Sequence, residues 1–184
     1  GKEELAAFFA KKDFGGLNVT IPYKREVFAF LDEVSPLAER IGAVNTVVNR
    51  GGVLYGDNTE YFGFSALAAR AGVDFRGANV LIFGTGGTSE TAETVCRDGG
   101  AARVEKVSRS GALNYQTMYE RRDTHVVVNT TPAGMFPNDG AAIADLSRFP
   151  ALRGALDAVY HPLRTNLVLP AEALGVPCAG GLYM

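Results

Sequence analysis

The chain has 184 residues, 47% of them hydrophobic, and a formal net charge of −2 at pH 7. This length fits one large domain or parts of two, and the hydrophobic share is ordinary for a folded globular protein. The balanced charge, with no basic run, argues against a nucleic-acid or membrane-surface protein. No stretch approaches the roughly 18 apolar residues that a membrane span needs.

The few cysteines and histidines indicate neither a disulfide framework nor a metal site. Cys96 and Cys178 lie far apart in apolar surroundings with no CxxC pattern, so we predict two buried thiols. His125 and His161 are distant in sequence and lack acidic neighbours, so no metal is expected. No secretory signal is visible, and a reducing cytoplasm is the expected location.

The front part of the chain, residues 1–61, predicts a mixed α/β unit. Two strand patterns joined by Gly51-Gly52 are typical of a hairpin, and Ser35-Pro36 suits the cap and first position of a helix. The predicted elements, in chain order, are a helix over 3–12, a strand over 17–21, a helix that starts at Pro22, a helix up to Arg40, and strands over 43–49 and 53–56.

The rear part, residues 62–184, predicts a doubly wound domain. Its elements are a helix over 61–71 ended by Gly72, a strand over 80–83, a helix over 88–97, a strand over 104–107, a helix over 113–120, strands over 125–129 and 155–160, a helix over 170–174 and an edge strand over 176–179. Strands that alternate with helices favour a parallel sheet with right-handed crossovers. The predicted fold class is therefore α/β: a Rossmann-like parallel-sheet domain preceded by a partial α/β domain. The substrate site is expected in the cleft between the two.

A glycine-rich turn follows the apolar strand at 80–83. Gly84 suits the tight turn, and Gly86 and Gly87 let the backbone approach a pyrophosphate with no Cβ in the way. Ser89 stands where the third glycine of GxGxxG would be, and it is small enough for close packing of the helix. An ordinary strand-to-helix turn is the alternative interpretation.

The segment after the next strand indicates which dinucleotide would bind. Ser108-Arg109-Ser110 lies 24 to 26 residues after Gly84, where a site for NAD keeps a carboxylate for the ribose 2′-OH. A cation and two hydroxyls suit a 2′-phosphate instead, so the pair of motifs favours NADP. A solvated arginine at a strand end is the alternative.

Three polar clusters in the front part are candidates for chemistry. Asn18 and Thr20 alternate with apolar residues before Lys24, so Thr20 and Lys24 could line one cavity. Asn45 can donate and accept hydrogen bonds, which suits hydroxyl recognition. Glu60 ends a polar run and could pair with a lysine. Each has a structural alternative: a solvated lysine, a turn asparagine, and a carboxylate at a helix start.

Taken together, the ordered motifs resemble the shikimate dehydrogenase family over essentially the whole chain. Each motif is weak alone, and their order is specific. The motifs are Asn18-Val19-Thr20-Ile21-Pro22-Tyr23-Lys24, Gly42-Ala43-Val44-Asn45-Thr46, Gly56-Asp57-Asn58-Thr59-Glu60, Gly84-Thr85-Gly86-Gly87-Thr88-Ser89, Ser108-Arg109-Ser110, Asn129-Thr130-Thr131-Pro132-Ala133-Gly134-Met135 and Asp157-Ala158-Val159-Tyr160-His161-Pro162.

The resemblance implies a reversible reduction of 3-dehydroshikimate to shikimate with NADPH, a step toward the aromatic amino acids. It implies Lys24 and Glu60 as the catalytic pair and a small-molecule substrate bound by Asn18, Thr20, Asn45 and Tyr160. It implies cofactor contacts from Gly84, Thr85, Gly86, Gly87, Thr88, Ser108, Arg109, Ser110, Asn129, Thr130 and Met135. We expect a monomer or homodimer with no nucleic-acid or membrane partner.

The sequence departs from the family pattern in three places. Glu60 stands where the family usually has aspartate, which moves the carboxylate by about a bond length. Glu90 brings negative charge near the expected pyrophosphate, where many relatives carry a basic residue, so weakened cofactor affinity is predicted. Relatives also start earlier and continue past Met184, so the chain is expected to be truncated at both ends.

Two alternatives to an NADP-dependent enzyme stay open at the level of sequence. One is a quinate/shikimate dehydrogenase that uses NAD. The other is a non-catalytic dinucleotide-binding module that has kept the fold, which Glu60, Glu90 and the expected truncation favour. Lys24, Thr20 and Asn45 favour the enzyme.

Overall fold

The structure, a computed structural model, describes residues 2–137, 139–140 and 142–184. The chain divides into two compact units, Gly1–Glu60 and Tyr61–Met184. In the described residues, no helix combines the length and the apolar character that crossing a membrane requires.

The first unit is built on a mixed four-stranded sheet. Its elements are α1 (Lys2–Lys11), β1 (Gly16–Asn18), β2 (Glu33–Val34), α2 (Pro36–Ile41), β3 (Thr46–Arg50) and β4 (Val53–Asp57). The strand order is β1-β3-β4-β2, with β2 parallel to β4 and the other pairs antiparallel. Buried apolar side chains from the helices and strands form its core; they include Phe9, Val27, Val47 and Leu54.

Local sequence signals explain two features of this unit. Gly51 and Gly52 have φ angles of 62° and 94°, as the two central residues of a tight hairpin turn require, and they join β3 to β4 as predicted. Ser35 caps α2, since its Oγ accepts a hydrogen bond from the Ala38 N–H at 3.1 Å, and Pro36 is the first helical residue.

The predicted helix from Pro22 is wrong. The chain turns after a cis Ile21–Pro22 bond, and only a 3₁₀ helix over Glu26–Phe30 follows. The reason is a tertiary contact. In an α-helix the Lys24 carbonyl would accept a hydrogen bond from the N–H four residues later, but here it accepts one from the Val44 N–H at 2.8 Å. The preceding strand is also shorter than predicted, because β1 ends at Asn18.

The second unit is a doubly wound parallel sheet, which confirms the predicted fold class. Its elements are α3 (Glu60–Ala71, which begins at the last residue of the first unit), β5 (Asn79–Phe83), α4 (Gly87–Asp98), β6 (Arg103–Val107), β7 (Val126–Asn129), β8 (Gly154–Asp157), α5 (Val168–Ala173) and β9 (Cys178–Ala179). The strand order is β6-β5-β7-β8-β9, and every neighbouring pair is parallel.

Both faces of this sheet are covered. Val80 and Ile82 of β5 point into a core shared with α3 and α4, whereas Leu81 and Phe83 point into a second core that includes residues of α5. Strands buried on both faces read as continuous apolar runs, which explains the sequence of β5 and of β7. Cys96 is buried as predicted, but Cys178 lies on the edge strand and is partly exposed.

Two predicted elements of this unit are shorter than expected. In place of a helix over 113–120 there is one 3₁₀ turn, Met118–Glu120, because the Asn114 Oδ1 accepts hydrogen bonds from the N–H groups of Gln116 and Thr117 and holds a turn there. The strand predicted to reach residue 160 ends at Asp157, whose Oδ1 accepts from the Val159 N–H at 2.9 Å.

Candidate active site

The first unit contains an ion pair between a buried lysine and a partly buried glutamate. The Lys24 Nζ donates a hydrogen bond to the Glu60 Oε1, although the two residues are 36 positions apart in the sequence. Lys24 is 6% exposed, and the Glu60 side chain is 21% exposed. The sequence predicted that these residues could pair, and the fold places the ammonium out of bulk water with the carboxylate beside it.

Asn45 and Thr59 hold the segment that leads to Glu60. The Asn45 Oδ1 accepts from the Thr59 N–H at 2.9 Å, and the Asn45 Nδ2 donates to the Thr59 Oγ1 at 3.1 Å. The fully buried Asn58 donates from Nδ2 to the Ala43 carbonyl at 2.9 Å. Asn45 and Thr59 are 14 positions apart in the sequence, so their contact could be found only from the fold.

Asn18 and Thr20 lie beside this cluster. Asn18 pairs with Thr46 across β1 and β3, and the Val19 N–H donates to the Asn45 carbonyl at 2.7 Å. Asn18 and Thr20 are exposed, and Val19 between them is buried, as the alternating pattern predicted. The first unit therefore carries an ammonium, a carboxylate, three side-chain amides and several hydroxyls on neighbouring segments.

In the second unit, β5 pairs with β7 on one side and with β6 on the other, although β6 lies between them in sequence. The direction in which successive strands are added to the sheet therefore reverses between β5 and β7. Open parallel sheets bind ligands at the carboxyl ends of strands at such a point. The Gly84 turn lies there, with φ at 109°. The Ser89 Oγ donates to the Gly84 carbonyl at 3.0 Å, and the Thr130 Oγ1 donates to the Phe83 carbonyl at 2.7 Å, so both flanks of the turn are fixed.

Glycine is favoured for different physical reasons at Gly84 and at Gly86. A Cβ on Gly84 would lie 2.8 Å from the Thr130 Oγ1, so the fold itself requires glycine. Gly86 has an ordinary φ of −83°, and a Cβ there would meet nothing within 4 Å. The fold therefore leaves open space at Gly86, at the start of α4, which fits the close approach of a phosphate group.

The segment after β6 carries the predicted cation. Arg109 and Ser110 are exposed, and the Ser108 Oγ accepts from the Gly111 N–H at 2.9 Å. Thr85 in the glycine turn is exposed, and Gly87 and Thr88 lie in the first turn of α4. These residues fit a dinucleotide phosphate by charge and by access.

Lys106 is a residue that sequence reasoning missed. Its Nζ lies 2.6 Å from the Glu90 Oε2 and 2.7 Å from the Glu93 Oε2. The available signal was its position two residues after Val104, which places both side chains on one face of β6. Its partners on α4 could not be read from spacing.

The remaining predicted site residues differ in exposure. Asn129 is fully buried; its Nδ2 donates to the Asp157 Oδ1 at 2.9 Å, and its Oδ1 accepts from the Thr131 N–H. Any effect of Asn129 on a cofactor would thus act through the loop that carries Thr130. Met135 and Tyr160 are 41% and 61% exposed. Their contacts with cofactor and substrate stay predictions.

Comparison with known proteins identifies relatives that match more than nine tenths of the chain. A family model described as the shikimate dehydrogenase substrate binding domain matches residues 2–47. The NADP(+) shikimate dehydrogenase of Clostridium perfringens (strain SM101 / Type A) is 35% identical over 182 residues, which cover 92% of this chain and 67% of the relative. The chain thus spans about two thirds of the length of that relative.

Two solved structures share the fold. Shikimate dehydrogenase 1 from Peptoclostridium difficile has a TM-score of 0.88 at 32% identity, and the match covers 99% of this chain and 71% of that one. The shikimate 5-dehydrogenase from Thermus thermophilus, in complex with NADP(H) and shikimate, has a TM-score of 0.83 at 30% identity, and the match covers 97% and 73%.

Proposed function

The chain belongs to the shikimate dehydrogenase family, and from this membership we propose that it catalyses the reversible reduction of 3-dehydroshikimate to shikimate with NADPH. Residues 1–61 would bind the substrate, and residues 62–184 would bind the cofactor. The observation that carries the proposal is the buried ammonium of Lys24, hydrogen-bonded to the carboxylate of Glu60.

The chemistry of this pair suits a carbonyl reduction. NADPH, when bound, supplies a hydride to the substrate carbonyl. Negative charge then develops on the carbonyl oxygen, and an ammonium within hydrogen-bond reach stabilises that charge and gives up a proton to it. Lys24 is the proposed proton donor. Glu60 accepts a hydrogen bond from the ammonium and so orients it.

The polar residues around the pair suit a substrate with several hydroxyl groups. Asn18 and Thr20 present exposed polar side chains, and Asn45 is held in orientation by Thr59. Short side chains that both donate and accept are what a carboxylate with three hydroxyls requires. We propose these three residues, with Tyr160 from the second unit, as the substrate contacts.

The residues at the carboxyl end of β5 and after β6 suit NADP. The amides at the start of α4 favour the diphosphate, and Arg109 with Ser108 and Ser110 favours the 2′-phosphate. The open space at Gly86 supports this assignment on the protein's own geometry. Thr130 and Met135 are the further proposed contacts, on the loop after β7.

We propose a small molecule as the partner of this chain, with a monomer or homodimer as its assembly. The balanced net charge supports neither a nucleic-acid nor a membrane-surface partner. Cytoplasmic location is part of the same proposal, since the substrate and NADPH are intracellular metabolites.

A spectrophotometric assay tests the proposal. Shikimate with NADP⁺ should give NADPH absorbance, whereas quinate and NAD⁺ should give much slower turnover. Lys24→Met should reduce kcat by about a thousandfold. Lys12→Met is the matched control, because Lys12 also pairs with a carboxylate, Asp32, but at an exposed site, and it should keep full turnover.

The outcomes separate the alternatives. Faster oxidation of quinate with NAD⁺ would identify the quinate/shikimate dehydrogenase. Binding of NADP⁺ with no turnover of either substrate would identify a non-catalytic dinucleotide-binding module. Equal activity of wild type and Lys24→Met would contradict the proposed role of the ion pair.

A further inference from the structure

The first turn of α4 carries a carboxylate where the proposed function places a diphosphate. Glu90 lies in that first turn, and helical Cβ atoms tilt toward the N-terminus. A negative side chain there competes with the ligand for the positive end of the helix. Without compensation, this residue opposes cofactor binding.

The structure supplies the compensation from β6. Lys106 lies on the face of the sheet that packs against α4, as Val104 does two residues earlier. The Lys106 Nζ donates to the Glu90 Oε2 at 2.6 Å and lies 2.7 Å from the Glu93 Oε2. The three side chains are 21%, 25% and 23% exposed, so water screens these contacts only in part.

The Lys106 ammonium is shared between the Glu90 and Glu93 carboxylates. Glu93 has a second cation, because the Arg97 guanidinium donates to its Oε1 at 2.7 Å and 2.9 Å. Although burial acts in the opposite direction, the hydrogen bonds from Lys106 and Arg97 hold the pKa of Glu93 below its ordinary value. Two cations thus face two carboxylates, with Lys106 at the end nearer the glycine turn.

We propose that Lys106 is a positioning residue for the cofactor. It draws the Glu90 carboxylate toward β6 and neutralises it, so that the start of α4 can accept the diphosphate. The inference rests on the proposed function, since it concerns the NADP site of this chain. The ion pair with Lys106 thus offsets the negative charge of Glu90, which alone would oppose binding of the diphosphate.

Binding of NADP⁺ to purified protein, measured by titration calorimetry, tests this role without relying on turnover. Lys106→Met should raise the Kd for NADP⁺ about tenfold, which corresponds to about 1.4 kcal/mol. The Kd for NAD⁺ should rise by the same factor, because both ligands share the diphosphate. The Kd for shikimate should not change. Raising the salt concentration should reduce the difference in the Kd for NADP⁺ between Lys106→Met and wild type.

Matched variants identify the charge as the cause. Lys106→Met/Glu90→Gln should restore wild-type affinity, and Lys106→Arg should keep it. Glu90→Gln alone should bind NADP⁺ at least as tightly as wild type. Arg97→Met removes a cation from the same cluster but in the last turn of α4, so it should leave the Kd unchanged.

Each outcome decides the inference. Equal Kd values for wild type and Lys106→Met, or weaker binding by Glu90→Gln, would overturn it while leaving the proposed function in place. Glu90→Gln also keeps the test decisive if Lys106→Met does not fold. Failure of the wild-type protein to bind NADP⁺ would overturn the proposed function, and the inference with it.

Discussion

Glu60 accepts a hydrogen bond from the Lys24 ammonium, and Glu60 is also the residue at which α3 begins. The carboxylate is therefore held by a helix start, while the ammonium comes from a turn anchored to Val44 through the Lys24 carbonyl. The longer side chain of glutamate reaches Lys24 directly in this chain. The departure from the aspartate of the family pattern is accommodated by the local geometry.

The length of the acidic side chain should matter for turnover. Glu60→Asp shortens the side chain by one methylene and withdraws the carboxylate from Lys24, and a displacement of about 1 Å can cost on the order of 100-fold in rate. We expect kcat to fall between about tenfold and 100-fold, with the KM for shikimate nearly unchanged. Steady-state kinetics with saturating NADP⁺ measures both.

Turnover by Glu60→Asp equal to that of wild type would contradict this expectation. Glu60→Gln is the companion variant, because it keeps the length and an acceptor oxygen but removes the negative charge beside the ammonium.

Substitutions at the two glycines of the β5–α4 turn should have different effects, one on stability and the other on cofactor binding. Gly84→Ala should lower the free energy of unfolding by about 1–3 kcal/mol, because φ is 109° and the new Cβ meets the Thr130 Oγ1. Gly86→Ala should change it by less than about 0.5 kcal/mol but weaken NADP⁺ binding at least about tenfold. Urea unfolding and calorimetric titration give the two values. Unchanged NADP⁺ affinity in Gly86→Ala would remove the main geometric support for the phosphate site.

Arg109 should determine the preference between the two dinucleotides. Arg109→Leu removes a charge-assisted contact to the 2′-phosphate, which NAD⁺ lacks. We expect the Kd for NADP⁺ to rise about tenfold or more and the Kd for NAD⁺ to stay constant, so the ratio of the two changes. Arg122→Leu, also an exposed arginine of the second unit, is the control and should alter neither value. A parallel rise in both Kd values would place Arg109 elsewhere than at the 2′-phosphate.

The buried carboxyl of Asp157 should make stability depend on pH. Burial raises its pKa above the ordinary value of 3.8, although hydrogen bonds from Thr165, the Val159 N–H and Asn129 act in the opposite direction. The folded state then binds the proton more tightly than the unfolded state, so stability falls as pH rises from about 4 through the raised pKa. Relative to Asp157→Asn, the wild-type free energy of unfolding should increase on acidification across that interval.

Urea unfolding between pH 4 and pH 7 measures that difference for Asp157. Asp157→Ala should be destabilised by about 2–4 kcal/mol at neutral pH, because it leaves three buried donors without their acceptor. Asp157→Asn keeps an acceptor oxygen, so its free energy of unfolding should fall clearly less than that of Asp157→Ala. A constant difference between wild type and Asp157→Asn across the pH range would contradict the raised pKa.

Short-range chemistry determined much of this protein from sequence alone. The Gly51-Gly52 hairpin, the Ser35-Pro36 helix start and the apolar strand that ends at Gly84 depend on neighbouring residues, and each has the form that its local pattern predicts. The ordered motifs likewise identified the family, because their residue types and order survive in the sequence itself.

Only the tertiary structure decided the contacts between distant segments. The hydrogen bond from the Val44 N–H to the Lys24 carbonyl replaces the helical hydrogen bond after Pro22. The helix propensities of the local residues contain no information about Val44. The pairing of Lys106 with Glu90 depends on how β6 packs against α4, and the burial of Asn129 depends on its contact with Asp157. Sequence spacing specifies which faces residues share within an element, whereas charge pairs and burial arise where separate elements meet.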